Sequence, residues 1–459
     1  MVDVASLSLN RLHIVTIVSV SATMLGCFVI VWAARSVGSD VFSLTGDSRA
    51  YIILAENILS HGSFSLSNEA PFVPESFRSP GFPIFLAFLF TFFGPSLFAL
   101  SVHALLMSLA PILFYIYTRR WHERAAFWAA IVFALEPVRI FLASSLLTDS
   151  LFCVLFLASL IALERGRVSL LAATIAGVLL GLAILVRPIA QFLPFVYVAY
   201  IIFLWQPQRM QRVACVIVGV IVVVSPWMYR NQVLFGSWNI SSVGAANLAL
   251  YNSPAFLEWR PEPRAQGVLA EFEELQRSLP QDTALSLERS DVFVRTFREV
   301  IAGREFEYAT FHVLKTVPFF ITDGLRDMVR LFGADIGSIP NLSTLLLSGD
   351  ISSVVAYMRT GSLAIALLVL GSGFWAIILA LFIFSTIRAG IRRDGVILFL
   401  ACLVGYFALL TGPVSNARYR LPVEGFLIFG AFLAVQPLYF ILVRLYRKVV
   451  QPSDDLREA

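Results

Sequence analysis

The sequence predicts an all-α protein that crosses a membrane many times. Of its 459 residues, 58% are hydrophobic and only 14% are charged, whereas a soluble domain carries about 25% charged residues. The mean hydropathy is +0.81, and several apolar runs reach the roughly 20 residues that a helix needs to cross a bilayer. These runs are continuous rather than alternating, which favours helices over a transmembrane barrel. We therefore expect about ten transmembrane helices, with short interfacial helices and an external helical segment.

The predicted helices follow the apolar runs in chain order. The run at 14–34 is interpreted as a retained first helix, because it is too long for the core of a signal peptide. A polar loop follows at 35–80, with an amphipathic helix at 48–59, and then an apolar piece at 81–93 of about 13 residues, too short to span. Further transmembrane helices are predicted at 97–118, 125–146, 151–163, 168–186, 188–205, 213–227, 362–384, 396–410 and 423–443.

These elements divide the chain into three parts. Residues 1–228 form an N-terminal transmembrane module whose first external loop, 36–96, is predicted to be catalytic. Residues 229–360 form an external segment with amphipathic helices. Residues 361–459 form the C-terminal transmembrane helices and a cytoplasmic tail.

The basic residues predict the orientation. Clusters rich in Arg at 119–124, 165–167, 209–212, 388–393 and 444–448 fall on one side of the membrane if the piece at 81–93 does not span. The positive-inside rule makes that side cytoplasmic. We therefore expect both termini in the cytoplasm, and the polar chemistry on the outer face of the cytoplasmic (inner) membrane.

Two acidic residues on this outer side are the candidate catalytic groups. Asp47 follows a glycine just after the first helix, where it is predicted to be a helix N-cap, a general base at the membrane surface, or both. Asp149, after Thr148, lies between two apolar runs, where a carboxylate is costly unless it caps a helix or has a function. A divalent metal bridging the two carboxylates is an alternative role for them. Nucleotide-binding and nucleophile-elbow motifs are absent from the sequence, and so is metal-ligand spacing of His or Cys.

Arginines on the outer side are the second group of candidates. Short external loops should be poor in Arg, so their presence predicts an anionic ligand such as a lipid phosphate. Each one could instead contact lipid head groups or snorkel to the interface. The outer-side candidates are Arg78 with the nearby Glu75, Arg187, Arg230, Arg418 and Arg420. Arg139 is interpreted as a structural partner of Glu136 on the same helix.

The order of these features resembles the multispanning glycosyltransferases of the GT-C fold. The similarity is to the broad group that includes protein O-mannosyltransferases and the aminoarabinose transferase of lipid A. It rests on Asp47 with Tyr51, Ala55 and Gly62, on RSPGFP at 78–83, on LTDSLF at 147–152, on GLA at 181–183 with Arg187-Pro188, on Arg230-Asn231 with Phe235-Gly236, and on RYRLP at 418–422. It covers most of the chain and is thin across 250–360.

The resemblance implies a polyprenyl-phosphate-linked sugar as donor and transfer on the outer face. It also implies that Asp47 is the catalytic base and that Arg78 lies near the donor phosphate, with Tyr51 in the same loop helix. Two departures matter. Asp47 is followed by Ser48 rather than Glu, which makes protein mannosylation a poorer match, and Asp149 stands where relatives often have Glu.

We therefore predict a membrane glycosyltransferase in which Asp47 is the general base and Asp149 a second catalytic carboxylate. Tyr51, Glu75, Arg78, Arg187, Arg230, Arg418 and Arg420 are predicted to bind the substrate. The expected partners are the lipid-linked donor, membrane lipids and a glycan, lipid or protein acceptor, with no nucleic acid. The alternatives are a polysaccharide polymerase or ligase with a pyrophosphate-linked donor, and a transporter or flippase of lipid-linked sugars, for which polar groups at mid-membrane and an internal repeat would be expected.

Overall fold

The computed structural model describes residues 4–44, 46–204, 208–333 and 362–450, with a few isolated residues between 345 and 359. Within these ranges the chain is helical, and its only strand-like pairing is one antiparallel bridge between Ser65 and Pro74. The predicted all-α fold class is confirmed. The C-terminal end of the predicted external segment and the last nine residues of the tail lie largely outside the described residues.

Nine helices form the first part of the described chain. They are α1 (Val4–Ser36), α2 (Gly46–His61), α3 (Gly81–Phe93), α4 (Leu97–Leu135), α5 (Pro137–Ala143), α6 (Thr148–Arg165), α7 (Leu170–Val186), α8 (Leu193–Leu204) and α9 (Arg209–Phe235).

Short helices follow in the predicted external segment, and three long helices close the described chain. The short ones are α10 (Val243–Asn247), α11 (Ser253–Trp259), α12 (Pro263–Arg277), α13 (Gln281–Ala284), α14 (Ser290–Ile301), α15 (Glu305–Leu314), α16 (Val317–Ile321) and α17 (Arg326–Leu331). The long ones are α18 (Leu363–Arg392), α19 (Gly395–Thr411) and α20 (Ala417–Val450).

Six helices of the described chain are long and apolar enough to cross a membrane, or up to seven if the bent pair α5 and α6 is one span. The predicted number of about ten is larger for two reasons. First, α7 and the segment Pro188–Leu204 belong to the shorter apolar helices, as does α3. Second, the predicted helices at 97–118 and 125–146 are joined in α4, which is kinked at His122.

The end of the predicted helix at 125–146 is wrong, and the reason is Pro137. A proline inside a helix removes a backbone hydrogen bond, whereas at the first helical position it is well tolerated. Here α4 ends at Leu135, Pro137 begins the short α5, and the chain bends by 111° between α5 and α6. Glu136 caps α5 by accepting a hydrogen bond from the backbone N–H of Arg139. The guanidinium of Arg139 instead donates to the carbonyl of Phe133. Glu136 and Arg139 therefore interact as predicted, but through a helix cap on the backbone of Arg139.

The backbone of α7 packs closely against that of α9. α7 packs between α6 and α9, and Gly177 lets α7 approach α9 so closely that a Cβ there would lie 2.1 Å from the carbonyl oxygen of Val216. Small residues at such contacts are typical of membrane helices.

Asp149 lies at one end of α6, while Glu164 at the other end pairs with Arg120 at 3.5 Å. A rise of 1.5 Å per residue separates the two carboxylates by about 22 Å.

The segment predicted to be external has its own small apolar core and attaches to the loop between α2 and α3. Phe256, Phe293 and Phe311 are fully buried in that core. Ser76 of the loop accepts hydrogen bonds from the N–H of Ser242 through its carbonyl, at 3.1 Å, and from the N–H of Leu287 through its hydroxyl, at 2.9 Å. These hydrogen bonds join the loop to the segment that contains the short helices.

Candidate active site

One guanidinium group connects the two acidic residues that the sequence singles out. Nη1 of Arg418 lies 3.2 Å from Oδ2 of Asp47, and its Nε lies 2.9 Å from Oδ2 of Asp149. Each of the three residues lies in the first turn of a helix: Asp47 in α2, Asp149 in α6 and Arg418 in α20. Three distant parts of the chain therefore meet at one point at the end of the bundle.

Two further arginines complete the cluster. Nη1 of Arg78 lies 3.2 Å from Oδ1 of Asp47, and Nη1 of Arg187 lies 2.5 Å from Oδ1 of Asp149. Every carboxylate oxygen of the two aspartates thus has a guanidinium partner. Three cations against two anions leave one positive charge in the cluster, which favours an anionic ligand.

The two aspartates differ in how far their side chains are buried. The side chain of Asp149 is fully buried, whereas that of Asp47 is 41% exposed. Burial by itself raises the pKa of the Asp47 carboxyl, but the charges and hydrogen bonds of Arg78 and Arg418 outweigh it, and the pKa lies below its ordinary value. The Asp47 carboxylate is therefore accessible from solvent, whereas the Asp149 carboxylate is enclosed and paired with Arg187 and Arg418.

The Arg-Ser-Pro-Gly motif holds Arg78 beside the end of α7. The hydroxyl of Ser79 donates to the carbonyl of Val186 at 2.9 Å. A Cβ on Gly81 would lie 2.8 Å from the backbone nitrogen of Val186, closer than side chains tolerate, so only glycine allows this approach. Because Arg187 directly follows Val186, the motif fixes Arg78 and Arg187 relative to each other.

Tyr51 and one unpaired donor complete the surroundings of Arg78. The guanidinium carbon of Arg78 lies 4.8 Å from the ring centroid of Tyr51, which packs edge-on against Phe82. Burial raises the pKa of the Tyr51 hydroxyl. Nε of Arg78 is buried and has no hydrogen-bond partner within the described chain. A buried donor without a partner is costly, and a bound anion would satisfy it.

Glu75 lies behind Arg78. Its Oε1 accepts from the backbone N–H of Phe77 at 2.6 Å and from that of Arg78 at 3.0 Å. The side chain therefore closes the turn that carries Arg78. Nη1 of Arg230 donates to the carbonyl of Glu75 at 2.9 Å, and its guanidinium lies over the ring of Trp227. Glu75 and Arg230 thus form a layer that supports the loop.

Arg420 lies in a separate buried network, although it is only two residues from Arg418. Its Nη1 donates to the carbonyls of Phe319 and Thr322 at 3.0 and 3.1 Å. Its Nε lies 3.8 Å from the buried carboxylate of Glu424. Of the predicted substrate-binding arginines, the structure brings Arg78, Arg187 and Arg418 to the aspartates. It places Arg230 behind them and Arg420 on another face of α20.

Comparison with known proteins identifies the fold. No family model and no curated protein sequence matches the chain. A crystal structure of the oligosaccharyltransferase of Archaeoglobus fulgidus, tethered to an acceptor peptide with an NVT sequon, matches 96% of this chain and 50% of its own, with a TM-score of 0.50 at 15% identity.

The chain has the GT-C fold. Two further structures of the archaeal enzyme are similar at 16% identity. One is the apo form, with a TM-score of 0.49, covering 96% of this chain and 52% of that one. The other is in complex with an inhibitory peptide and a dolichol-phosphate, with a TM-score of 0.48, covering 98% and 52%. The chain spans about half the length of these structures. The predicted GT-C resemblance is thus confirmed for the fold, and the narrower relation to protein O-mannosyltransferases and the aminoarabinose transferase stays a prediction.

Two residues next to this cluster were not predicted. The ring of Tyr419 lies 5.3 Å from the guanidinium of Arg187 and orients it. Nε2 of His103 lies 3.2 Å from the carbonyl of Leu147, the residue that precedes α6. Two features of the sequence could have pointed to these residues: Tyr419 stands between two arginines, and His103 is an isolated polar residue in an apolar helix.

The donor set does not fit a metal bridging Asp47 and Asp149. Arg418 occupies the position between the two carboxylates, and the remaining carboxylate oxygens are bonded to Arg78 and Arg187. The described residues also hold no group of three or more His, Cys, Asp or Glu that could bind a metal ion. In this arrangement guanidinium groups supply the positive charge between the carboxylates.

Proposed function

We propose that the protein is a glycosyltransferase of the GT-C type. It transfers a sugar from a polyprenyl-phosphate-linked donor to an acceptor on the outer face of the cytoplasmic membrane. The observation that carries this proposal is the partly exposed Asp47 carboxylate, which is paired with Arg78 and Arg418 at the end of membrane-length helices. A base and a phosphate-binding cluster are the two parts that such a transfer needs.

Asp47 removes the proton from the acceptor hydroxyl as its oxygen attacks the anomeric carbon. The bond from that carbon to the phosphate oxygen breaks, and the phosphate leaves with the electron pair. Arg78 and Arg418 stabilise the charge that develops on the leaving phosphate. A positioned base of this kind contributes about 10²- to 10⁴-fold in rate, and a single displacement inverts the anomeric configuration.

Donor binding also activates the base. Without a ligand, Arg78 and Arg418 lower the pKa of Asp47, which makes it a weak proton acceptor. A bound phosphate competes for the same guanidinium donors and weakens their hold on Asp47. Asp149 meanwhile keeps Arg187 and Arg418 in place, because it is buried and bonded to both. The proton is then accepted only when donor is present.

Sugar transfer from a radiolabelled polyprenyl-phosphate donor pool tests the proposal. The assay compares membranes carrying wild type, Asp47→Asn and the control Asp40→Asn at matched expression. Asp40 lies in the same loop, is exposed, and caps a short turn through Phe42, a cap that Asn also makes. Loss of transfer in Asp47→Asn alone supports Asp47 as the base. Full activity in Asp47→Asn would remove that assignment, and no transfer by wild type from any lipid-linked donor would favour the transporter.

Two additions to this assay test the donor and the metal. Competition between monophosphate- and pyrophosphate-linked donors separates the proposed transferase from a polymerase or ligase that uses a pyrophosphate. Transfer should also continue in excess chelator, because Arg418 lies where a bridging cation would be. Activity that is lost to chelator and restored by Mn²⁺ or Mg²⁺ would contradict this expectation.

A further inference from the structure

A cavity of about 800 Å³ opens at the end of the bundle away from the aspartates. Arg124 of α4 and Arg388 and Arg392 of α18 contribute to its lining, together with Phe432 of α20. Phe432 lies 14 residues after Arg418 on the same helix, which is about 21 Å along its axis. The cavity and the candidate active site therefore lie at opposite membrane faces.

The lining of the cavity carries a net positive charge. None of Arg124, Arg388 and Arg392 forms an ion pair with an acidic side chain of the described chain. Asp394, the acidic residue in the lining, accepts hydrogen bonds from the N–H groups of α19 at 3.1 and 3.2 Å and thereby caps that helix. Three arginines against one aspartate leave a net charge of +2.

Another part of the cavity lining, called the apolar wall below, consists of exposed hydrophobic side chains. Trp128 and Val435 line it and are 50% and 52% exposed. On helices of membrane length, such exposed apolar side chains face lipid tails. A small free anion would need only the arginines, whereas a molecule with a phosphate and an acyl chain would contact both the arginines and the apolar wall.

We propose that this cavity binds an anionic phospholipid. Its phosphate lies against Arg124, Arg388 and Arg392, and its acyl chain lies along Trp128 and Phe432. Volumes of about 300–1,000 Å³ are typical of ligand sites, and basic pockets between helices on the cytoplasmic side of membrane proteins bind anionic head groups. This site does not depend on the proposed sugar transfer, since it shares no residue with the active site.

Lipid binding to delipidated protein in detergent tests the proposal. Native mass spectrometry measures the affinity for phosphatidylglycerol, with phosphatidylcholine as the zwitterionic reference. The test variant is Arg124→Gln/Arg388→Gln, which removes one arginine from each of two helices. The charge-matched control is Arg165→Gln/Arg209→Gln. Both control residues are exposed at the same membrane face and lie outside the cavity lining.

We expect phosphatidylglycerol to bind wild type and the control alike. The test variant should bind it about 30-fold more weakly, because each basic residue at a membrane surface strengthens the binding of anionic lipid by about fivefold. Equal binding by the test variant, or an equal loss in the control, would overturn the site. Glycerol phosphate that competes as strongly as the whole lipid would show that a free phosphate is bound instead. Equal thermal midpoints of the three proteins without lipid exclude a folding defect as the cause.

A second variant tests the apolar wall. Trp128→Ala should weaken phosphatidylglycerol binding while leaving the weak binding of glycerol phosphate unchanged, because the head group does not contact that ring. A variant that binds both ligands as wild type does would remove the acyl chain from the proposed position.

Discussion

Replacing Arg418 by lysine should separate its charge from its geometry. The guanidinium bridges Asp47 and Asp149 through two different nitrogens, whereas a lysine ammonium is a point charge that cannot reproduce this fork. The contact with the fully buried Asp149 counts in full, at about 1.5–3 kcal/mol for a hydrogen bond between charged groups. The contact with Asp47, which is 41% exposed, is screened by water and adds at most about 1 kcal/mol.

We therefore expect Arg418→Lys to lower kcat/KM for sugar transfer by about 10- to 900-fold, the rate equivalent of about 1.5–4 kcal/mol for the two contacts together. The assay is the initial rate of transfer at varied donor concentration, with Arg165→Lys as an exposed control. A double-mutant cycle of Arg418→Lys with Asp149→Asn should show coupling, and the same cycle with Asp40→Asn should not. An Arg418→Lys protein that is folded and within about threefold of wild type would refute the bridging role.

Three further predictions concern packing, the buried network and pH. Gly81→Ala should lower both the thermal midpoint and the transfer rate, because overpacking against Val186 destabilises the protein by about 1–3 kcal/mol. The control Gly267→Ala should change neither, since its Cβ meets open space. Equal thermal midpoints of Gly81→Ala and wild type would contradict the close contact. Arg420→Gln should destabilise the protein by about 3–5 kcal/mol, because it leaves a buried carboxylate and carbonyls unpaired; a stable variant with lost transfer would instead place Arg420 in the active site. Folding lowers the pKa of Asp47. The ionised carboxylate therefore stabilises the protein at pH values above its ordinary pKa of about 3.9. This stabilisation is lost as the pH falls through the pKa that Asp47 has in the folded protein. The difference in thermal midpoint between wild type and Asp47→Asn should therefore shrink below about pH 4, and a difference that already disappears at pH 6 would contradict the lowered pKa.

The helices were predictable from the sequence because their signals are local. The helix Gly81–Phe93 has the predicted bounds, since Pro80 directly precedes it and Gly94 ends it. Pro137 likewise marks the break between α4 and α5, although the apolar pattern alone predicted an uninterrupted helix there. Runs of apolar residues show that a segment is helical, but they do not show whether one long helix, a kinked helix or a bent pair results.

The sequence also determined which acidic and basic residues are available for the site, and that apolar runs separate them along the chain. It did not determine their pairing. Asp47 and Arg418 are 371 residues apart in the chain, and Ser79 and Val186 are 107 apart. Such contacts depend on how the helices pack against one another. Packing also decided that Asp149 is buried while Asp47 stays partly exposed.

Arg418 and Arg420 show the same division most clearly. The sequence placed both in a loop on the outer side and predicted one role for them. In the structure α20 begins at Ala417, and residues two apart on a helix point about 200° away from each other. Arg418 therefore faces Asp47 and Asp149, while Arg420 faces Glu424 and the carbonyls near Phe319. The sequence determined that two arginines would lie at this helix end, and the tertiary structure alone decided which one reaches the site, because only packing fixes where the helix starts and which face it turns to the aspartates.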